Sequence, residues 1–162
     1  MHNKVSFFKF FFLCLLSDSL FQAHFLELLE AEFDSSGDVF SVFYFDVDRF
    51  KAINDTHGHE AGDMVLKELV GVAQEVLDRS SSVLARMGGD EFAVLLYKSD
   101  KTSSMSVGEK LREAVEKHSF RYDGKEVRTR GKKRTRMRMR QTTFETGESD
   151  GFDWSVRIGR QM

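Results

Sequence analysis

Apolar residues recur along the chain at spacings that predict three amphipathic helices. From Ser19 to Phe33 they fall on one helical face and leave the glutamates to solvent. The same spacing predicts a second helix over 65–77, after a polar loop at 54–60, and a third helix that enters at Ser103-Ser104 and has its apolar face over 107–118. His118 closes the third helix and is interpreted as a boundary histidine rather than a ligand. Each helix therefore has one face to bury against another element.

Three short runs have the composition of β-strands. Residues 40–45 are almost entirely apolar and aromatic, which is typical of a central strand buried on both faces. Residues 83–87 and 92–97 flank Gly88-Gly89 and predict a hairpin, because glycine supplies the positive φ angles of a tight turn. A further strand is expected around 120–128. The order of elements predicts an α/β (α+β) fold with a central, largely antiparallel sheet flanked by helices.

Length and composition fit one folded domain with a segment on either side. The chain has 162 residues, of which 41% are hydrophobic, so it can bury a core. Residues 19–128 carry the periodic elements and are predicted to be the domain. Residues 129–162 lack periodicity and predict a basic, then polar tail, much of it disordered. The one cysteine, Cys14, excludes an internal disulfide framework and is compatible with a cytoplasmic location.

The amino-terminal segment, residues 1–18, is apolar but too short to cross a membrane. Residues 5–16 are interrupted by Lys9, whereas a spanning helix needs about 20 apolar residues. Three interpretations stay open. The segment is a helix that docks on a partner or on the domain, an attachment to a membrane surface, or a signal or mis-started segment.

Charge is distributed unevenly along the chain. Residues 125–140 hold nine Lys or Arg and one acid; since the whole chain has 24 basic and 26 acidic residues, the remainder holds 15 against 25. A basic run raises the hypothesis of nucleic-acid binding. Because aromatic side chains are absent from that run, no specific nucleic-acid site is expected.

Carboxylates at the ends of predicted strands suggest a metal site. Asp46 follows the apolar run 40–45, and Asp90 lies in the predicted hairpin turn. Strand ends placed side by side would bring the two carboxylates together, and the backbone carbonyl of Val47 could add a third oxygen. Magnesium prefers such oxygen ligands together with substrate phosphates, which favours phosphoryl or nucleotidyl transfer. The alternative is a solvated hairpin tip, where Gly-Asp is common.

Polar residues downstream of Asp46 suggest a nucleotide. Lys51 could reach distal phosphates as a point charge, and Asn54 and Asp63 supply the amide and the carboxylate that can read guanine. Each residue also has a plain structural interpretation. Lys51 is then a solvated base, Asp63 a helix N-cap, and Asp48 and Asp55 turn or cap acids.

The joint order of these residues resembles the GGDEF family of diguanylate cyclases. The resemblance rests on the stretch from Phe45 to Asp63, followed about two dozen residues later by Arg86-Met87-Gly88-Gly89-Asp90-Glu91-Phe92, and it covers roughly 19–128. It implies metal ligands at Asp46, the Val47 carbonyl and Asp90, and catalytic roles for Asp90, Glu91 and Lys51. It also implies substrate binding by a further set: Lys51, Asn54, Asp63, Gly88 and Gly89.

The implied reaction condenses two GTP molecules into cyclic di-GMP with loss of two pyrophosphates. It requires Mg²⁺ or Mn²⁺ and a homodimer, because each copy presents one GTP. The alternative is a degenerate, catalytically impaired module of the same family that binds guanine nucleotide or a partner.

Two departures from the family pattern lie before the hairpin. The usual Asn-Arg pair of the amino end is replaced by Gln22-Ala23, which predicts weaker support for the triphosphate. The Arg-x-x-Asp set of the product-inhibition site reads Arg79-Ser80-Ser81-Ser82. Because Ser82 offers a hydroxyl where the family has a carboxylate, feedback binding of cyclic di-GMP is predicted to be weak or absent.

The carboxyl end departs further. After Val127 the family continues with a strand and a helix, and both are predicted to be missing here. Lys132 and Arg136 have an i, i+4 spacing that could hold a phosphate on a helix, while a shifted reading frame or an internal deletion explains the tail at least as well. A missing strand would expose a sheet edge, which predicts lower stability and aggregation.

Overall fold

Ten elements lie in the part of the chain that the computed structural model describes, which is residues 18–34, 38–127 and 137–144. The helices are α1 (Asp18–Asp34), α2 (Phe50–His57), α3 (His59–Val76) and α4 (Lys101–Lys117). The strands are β1 (Phe40–Val47), β2 (Ser82–Gly88), β3 (Glu91–Leu96), β4 (Arg121–Tyr122), β5 (Lys125–Glu126) and β6 (Met137–Phe144).

The four longer strands form one antiparallel sheet in the order β2-β3-β1-β6. β1 occupies an inner position and pairs with β3 from Ser41 opposite Leu96 to Asp46 opposite Glu91. β2 and β3 form the predicted hairpin. The predicted mixed fold with a largely antiparallel sheet is therefore confirmed.

Helices cover both faces of β1, as its composition predicts. Phe43, Phe45 and Val47 lie in a cluster with residues of α2, α3 and α4, and the ring of Phe45 stacks on that of Phe92 at 5.3 Å. Alternate residues such as Phe40 and Val42 lie in a second cluster with residues of α1. Full burial of each such side chain is worth about 1.5–3 kcal/mol, so the sheet is fixed from two sides.

The predicted polar loop at 54–60 is wrong, because these residues are helical on either side of Gly58. Gly58 has a φ of 88°, which a side chain would strain, and its N–H donates to the Asn54 carbonyl at 2.9 Å. This single residue separates α2 from α3. Since α3 begins at His59, Asp63 lies inside the helix and is not its N-cap.

The prediction that the carboxyl-terminal strand is missing is also wrong. β6 pairs along the whole of β1, from Phe40 opposite Phe144 to Val47 opposite Met137, and it covers the edge that would otherwise be exposed. Met137 is 6% exposed and belongs to the same cluster as Phe43. Apolar residues that alternate with basic ones are enough to dock a strand when one face is buried. Eight residues of the predicted tail therefore form a strand.

The strand expected around 120–128 is a small hairpin. β4 and β5 are two residues each and turn at Asp123-Gly124, where both residues have positive φ. His118 follows the last residue of α4 as its C-cap, and its Nε2 atom lies 2.7 Å from Glu68 Oε2.

No helix in the described ranges is long and apolar enough to cross a membrane. The apolar residues 5–16, Lys132 and Arg136 lie outside the described residues. The interpretations of these segments and the predicted domain boundaries therefore stay predictions.

Candidate active site

Three acidic residues lie where β1 ends and β3 begins. Asp46 is paired across the sheet with Glu91, the first residue of β3, and Asp90 lies in the preceding turn. Because residues paired in antiparallel strands share a face, Asp46 and Glu91 lie on the same side of the sheet. We call Asp46, Asp90 and Glu91 the acidic corner. The sequence predicts the pairing of Asp46 with Asp90; the structure puts Glu91 in the opposite position and Asp90 beside it.

Backbone conformation holds the turn that carries Asp90. Gly88 and Gly89 have φ values of 153° and 52°, which are strained for other residues. The strand register shifts between Arg86 and Gly88, which is a β-bulge. Arg86 donates from Nε and Nη2 to the Gly89 carbonyl at 2.9 and 2.6 Å. The turn is thus fixed by its own main chain and by one arginine.

Mutual repulsion shows that the carboxylates of the acidic corner share one electrostatic environment. Burial raises the pKa of Glu91, and the negative charges of Asp90 and then Asp46 raise it further. Tyr44 lies two residues before Asp46 on the same face of β1. Burial and then the charge of Glu91 raise the pKa of Tyr44, and its Oη finds no hydrogen-bond partner in the described part of the chain.

The acidic corner fits a divalent cation. Its donors are hard carboxylate oxygens, with the Val47 carbonyl next in the chain, and a cation would relieve the repulsion that raises the pKa of Glu91. Within residues 18–34, 38–127 and 137–144, no group of three or more His, Cys, Asp or Glu side chains is arranged so that it could hold a metal ion by itself. A cation held there would therefore take its other ligands from the main chain, water or substrate phosphates.

A second candidate group lies at the junction of α2 and α3. A Cβ atom added to Gly62 would stand 1.9 Å from Asn54 Oδ1, so the amide of Asn54 packs directly on the glycine backbone. That oxygen is buried without a hydrogen-bond partner in the described structure. Asp63 follows Gly62 and is exposed. The fold thus brings the two predicted guanine-reading residues to one place, and we call Asn54, Gly62 and Asp63 the helix corner.

The turn between β1 and α2 joins the two corners. Asp48 lies in this turn, as its structural interpretation predicts, whereas Asp55 lies within α2. Arg49 caps α2 in the left-handed conformation at φ 60°, which costs a non-glycine residue about 1–2 kcal/mol. Lys51 is exposed in the first turn of α2. Its predicted role in phosphate binding stays a prediction, as do the other assigned roles.

Sequence reasoning missed two residues beside the acidic corner, Tyr44 and Arg86. The signal for Tyr44 is its alternation with Asp46, which puts both on one face of a strand. The signal for Arg86 is a lone cation two residues before the Gly88-Gly89 turn. Each is visible in the sequence only after the strand register is known.

The segment that corresponds to the product-inhibition site of the family makes a hydrogen bond within the domain itself. The Ser82 hydroxyl is buried and donates to the Asp78 carbonyl at 2.5 Å, and Arg79 is exposed. Ser82 has no carboxylate, and its hydroxyl already donates to Asp78, so little of this side chain is left to bind a ligand. The predicted weakness of feedback binding stays a prediction.

The comparisons with known protein sequences agree on one family. Residues 14–132 match the sequence model described as diguanylate cyclase, GGDEF domain. The chain is 37% identical over 122 residues to diguanylate cyclase A of Treponema denticola, which covers 74% of this chain and 30% of that protein. It is 39% identical over 100 residues to the probable diguanylate cyclase DgcE of Escherichia coli, covering 62% of this chain and 9% of that protein.

Solved structures share the fold. The GGDEF domain of FimX from Pseudomonas aeruginosa superimposes with a TM-score of 0.74 at 20% identity, covering 86% of this chain and 83% of that one. The GGDEF domain of DgcB from Caulobacter crescentus, solved with c-di-GMP, gives 0.67 at 24% identity and covers 78% and 72%. The chain spans less than a third of the two curated relatives, so it corresponds to one of their parts.

Proposed function

The chain belongs to the GGDEF family of diguanylate cyclases, and we propose that it condenses two molecules of GTP into cyclic di-GMP with release of two pyrophosphates. The observation that carries this proposal is the acidic corner, in which the register of β1 and β3 sets Asp46 opposite Glu91 beside the turn residue Asp90. Like charges gathered at a strand end are costly unless they bind a cation. The site is therefore suited to a phosphate-bearing substrate.

The proposed metal ligands are Asp46, the Val47 carbonyl and Asp90. A bound Mg²⁺ or Mn²⁺ would neutralise phosphate charge and lower the pKa of an attacking hydroxyl. In each of two steps, a 3′-hydroxyl oxygen forms a bond to the α-phosphorus of the other GTP, and the bond from that phosphorus to the bridging oxygen breaks. Asp90 and Glu91, which are adjacent at the start of β3, are the residues proposed to help activate the hydroxyl, and Glu91 accepts its proton.

Selection of guanine is assigned to the helix corner. Asn54 packs on Gly62 with its amide oxygen buried and without a partner in the described structure, and Asp63 carries an exposed carboxylate one residue beyond Gly62. A carboxylate matched to the ring NH and the amino group of guanine discriminates against adenine, which lacks both in that arrangement. Lys51 follows Val47 by four residues and would bind the triphosphate as a point charge.

The product requires two copies of the chain. One acidic corner and one helix corner hold one GTP, whereas cyclic di-GMP contains two nucleotides. A homodimer that brings two such sites face to face supplies both halves of the reaction. Turnover should then rise more steeply than in proportion to protein concentration until the dimer is saturated.

The first test is product formation. Purified protein is incubated with GTP and Mg²⁺ or Mn²⁺, and cyclic di-GMP is quantified by chromatography over a series of protein concentrations. Product that grows faster than linearly supports the proposal. Folded protein that binds GTP and makes no product at any concentration would identify the catalytically impaired module instead.

Guanine selection is tested with Asp63→Ala. The variant should lose about 10- to 100-fold in affinity for GTP and change little for ATP, because the lost hydrogen bonds are specific to guanine. Asp55→Ala, which removes an exposed acid from the neighbouring helix, is the matched control. Equal losses for both nucleotides would contradict the role of Asp63.

A further inference from the structure

The hairpin of β4 and β5 has no role in the function proposed above, yet its base is part of the core. Phe120 and Val127, which flank the two strands, are 1% and 3% exposed and belong to the same cluster as buried residues of α3. The N–H of Val127 donates to the Phe120 carbonyl at 2.8 Å and closes the hairpin. Buried contacts therefore fix the position of the hairpin relative to α3.

Two side chains of the segment 118–122 contact α3 at separate points. The Tyr122 hydroxyl donates to Glu60 Oε2 in the first turn of α3, and His118 Nε2 lies 2.7 Å from Glu68 Oε2. Glu60 and Glu68 are eight residues apart, which corresponds to about 12 Å along a helix axis. The segment thus lies along the first half of α3, and Tyr122 makes the contact at the end that carries the helix corner.

The first turn of α3 is held on two sides. Its amino terminus has no side-chain cap among the described residues, but Asn54 packs on Gly62 and Tyr122 binds Glu60. Successive residues of an α-helix are about 100° apart around the axis, so Gly62 lies at about 200° from Glu60 and Asp63 at about 300°. Asp63 therefore lies on the arc between the two contacts.

We propose that Tyr122 is a positioning residue for guanine selection, which holds Glu60 and through it the orientation of Asp63. The inference rests on the proposed function, in which Asp63 accepts from the ring NH and the amino group of guanine. Hydrogen bonds weaken steeply as their angle departs from linearity, so a carboxylate that accepts two of them must keep a defined orientation. A first turn held on both sides keeps it.

Tyrosine is suited to this task. Its ring packs against the core cluster while its hydroxyl reaches the exposed Glu60, so little side-chain freedom is lost when the bond forms. The carboxylate is a charged acceptor, which strengthens the bond. Because Glu60 is exposed, water competes for it, and loss of the bond should cost about 3- to 10-fold in affinity for guanine nucleotides.

The test compares Tyr122→Phe with Tyr97→Phe, each of which removes one phenol hydroxyl. Tyr97 follows the last residue of β3, at the opposite end of that strand from the acidic corner. Binding of α,β-methylene GTP and of α,β-methylene ATP, both with Mg²⁺, is measured by calorimetry. Tyr122→Phe should weaken the GTP analogue about 3- to 10-fold and change the ATP analogue by less than about twofold, whereas Tyr97→Phe should leave both unchanged.

Double-mutant cycles separate positioning from a general loss of stability. In the Asp63→Ala background, Tyr122→Phe should have no further effect on the GTP analogue. Glu60→Ala, which removes the acceptor, should reproduce the loss and add nothing to Tyr122→Phe, and it replaces that variant if it does not fold. Glu60→Gln, which keeps an acceptor oxygen, should retain part of the affinity. Additive losses in either cycle, or equal losses for the two nucleotides, would overturn the inference.

The same measurements separate the inference from the proposed function. If the wild type prefers the guanine analogue in a Tyr122-dependent way but forms no cyclic di-GMP, the function fails and the role of Tyr122 stands. If product forms and Tyr122→Phe keeps the full preference for guanine, the function stands and the inference fails.

Discussion

The acidic corner and the helix corner are held by different kinds of contact. Main-chain pairing between β1 and β3 sets the spacing of Asp46 and Glu91, and the charges of Asp90 and Asp46 raise the pKa of Glu91. The helix corner depends on side-chain packing, because Asn54 lies directly against Gly62. A substitution at the acidic corner should therefore change activity without changing stability. At the helix corner, the contact between Asn54 and Gly62 should contribute to both nucleotide binding and stability.

The largest expected effect is on activity at the acidic corner. Asp46→Asn should lower the rate of cyclic di-GMP formation by about 100- to 1,000-fold, equivalent to about 3–4 kcal/mol, because a charged cation ligand becomes a neutral amide. The midpoint of urea denaturation should change little, since main-chain pairing of β1 with β3 sets the position of Asp46. Both quantities are measured on the same preparations.

Asp123→Asn is the control for charge. It removes one exposed carboxylate in the turn between β4 and β5, at a φ of 48° that asparagine tolerates. Its activity should match the wild type. A loss of stability in Asp46→Asn comparable to its loss of activity would break the distinction between the two corners.

The next effect is on stability at the helix corner. Gly62→Ala should lower the free energy of unfolding by about 1–3 kcal/mol and weaken GTP binding together with it, because the new methyl group would displace Asn54. Gly71→Ala in the same helix is the matched control. A Cβ atom there meets nothing within 4 Å, so that variant should gain up to about 1 kcal/mol.

Urea denaturation and nucleotide titration of the two glycine variants distinguish packing from helix propensity. If both variants were stabilised, the contact between Gly62 and Asn54 would not be tight in solution. If Gly62→Ala were destabilised and bound GTP normally, Asn54 would serve only the fold.

The smallest effect is the pH dependence of stability. Because the folded state raises the pKa of Glu91, it holds that proton more tightly than the unfolded chain, and stability falls as pH rises from the usual glutamate value of 4.5 through the raised one. Glu91→Gln should remove this fall. Its thermal midpoint should equal that of the wild type at the acidic end and exceed it near neutrality, by on the order of 1 °C because partly exposed charges are screened.

The same pH series measured with Mg²⁺ gives a second test of the charge on Glu91. A cation at the acidic corner favours ionised carboxylates, so its stabilisation of the wild type should grow with pH over the same window. Glu91→Gln should show a flatter response. A pH profile identical in variant and wild type would mean that Glu91 does not carry the local repulsion.

The sequence predicted the parts of the fold in which burial or backbone conformation restricts the residue type. The strand at 40–45 and the glycine hairpin are recognisable because their side chains are apolar or their φ angles are unusual. α2 was missed because Ile53 is its one fully buried residue, so its helical pattern is hidden among polar side chains. β6 was missed because its arginines are poor indicators of a strand, and only pairing with β1 reveals the alternation.

For the candidate site, the sequence predicted which residues converge but not their register. The regular pairing of β1 with β3 sets Glu91 rather than Asp90 opposite Asp46, and the bulge between Arg86 and Gly88 lies on the other side of β3, in its pairing with β2. Neither the register nor the bulge is visible in residue spacing. The close contact of Asn54 with Gly62 was likewise invisible, because it depends on the angle between two helices joined at Gly58.

The pairing of β1 with two strands from distant parts of the chain sets an order of assembly. Ser41 pairs with Leu96 in β3, whereas Phe40 pairs with Phe144 in β6, which lies 104 positions further along the chain. Loop closure over longer separations is slower and costs more entropy. During synthesis the hairpin side of β1 can close while β6 is still unmade, and the edge that β6 will cover is then open to chaperones or to other nascent chains.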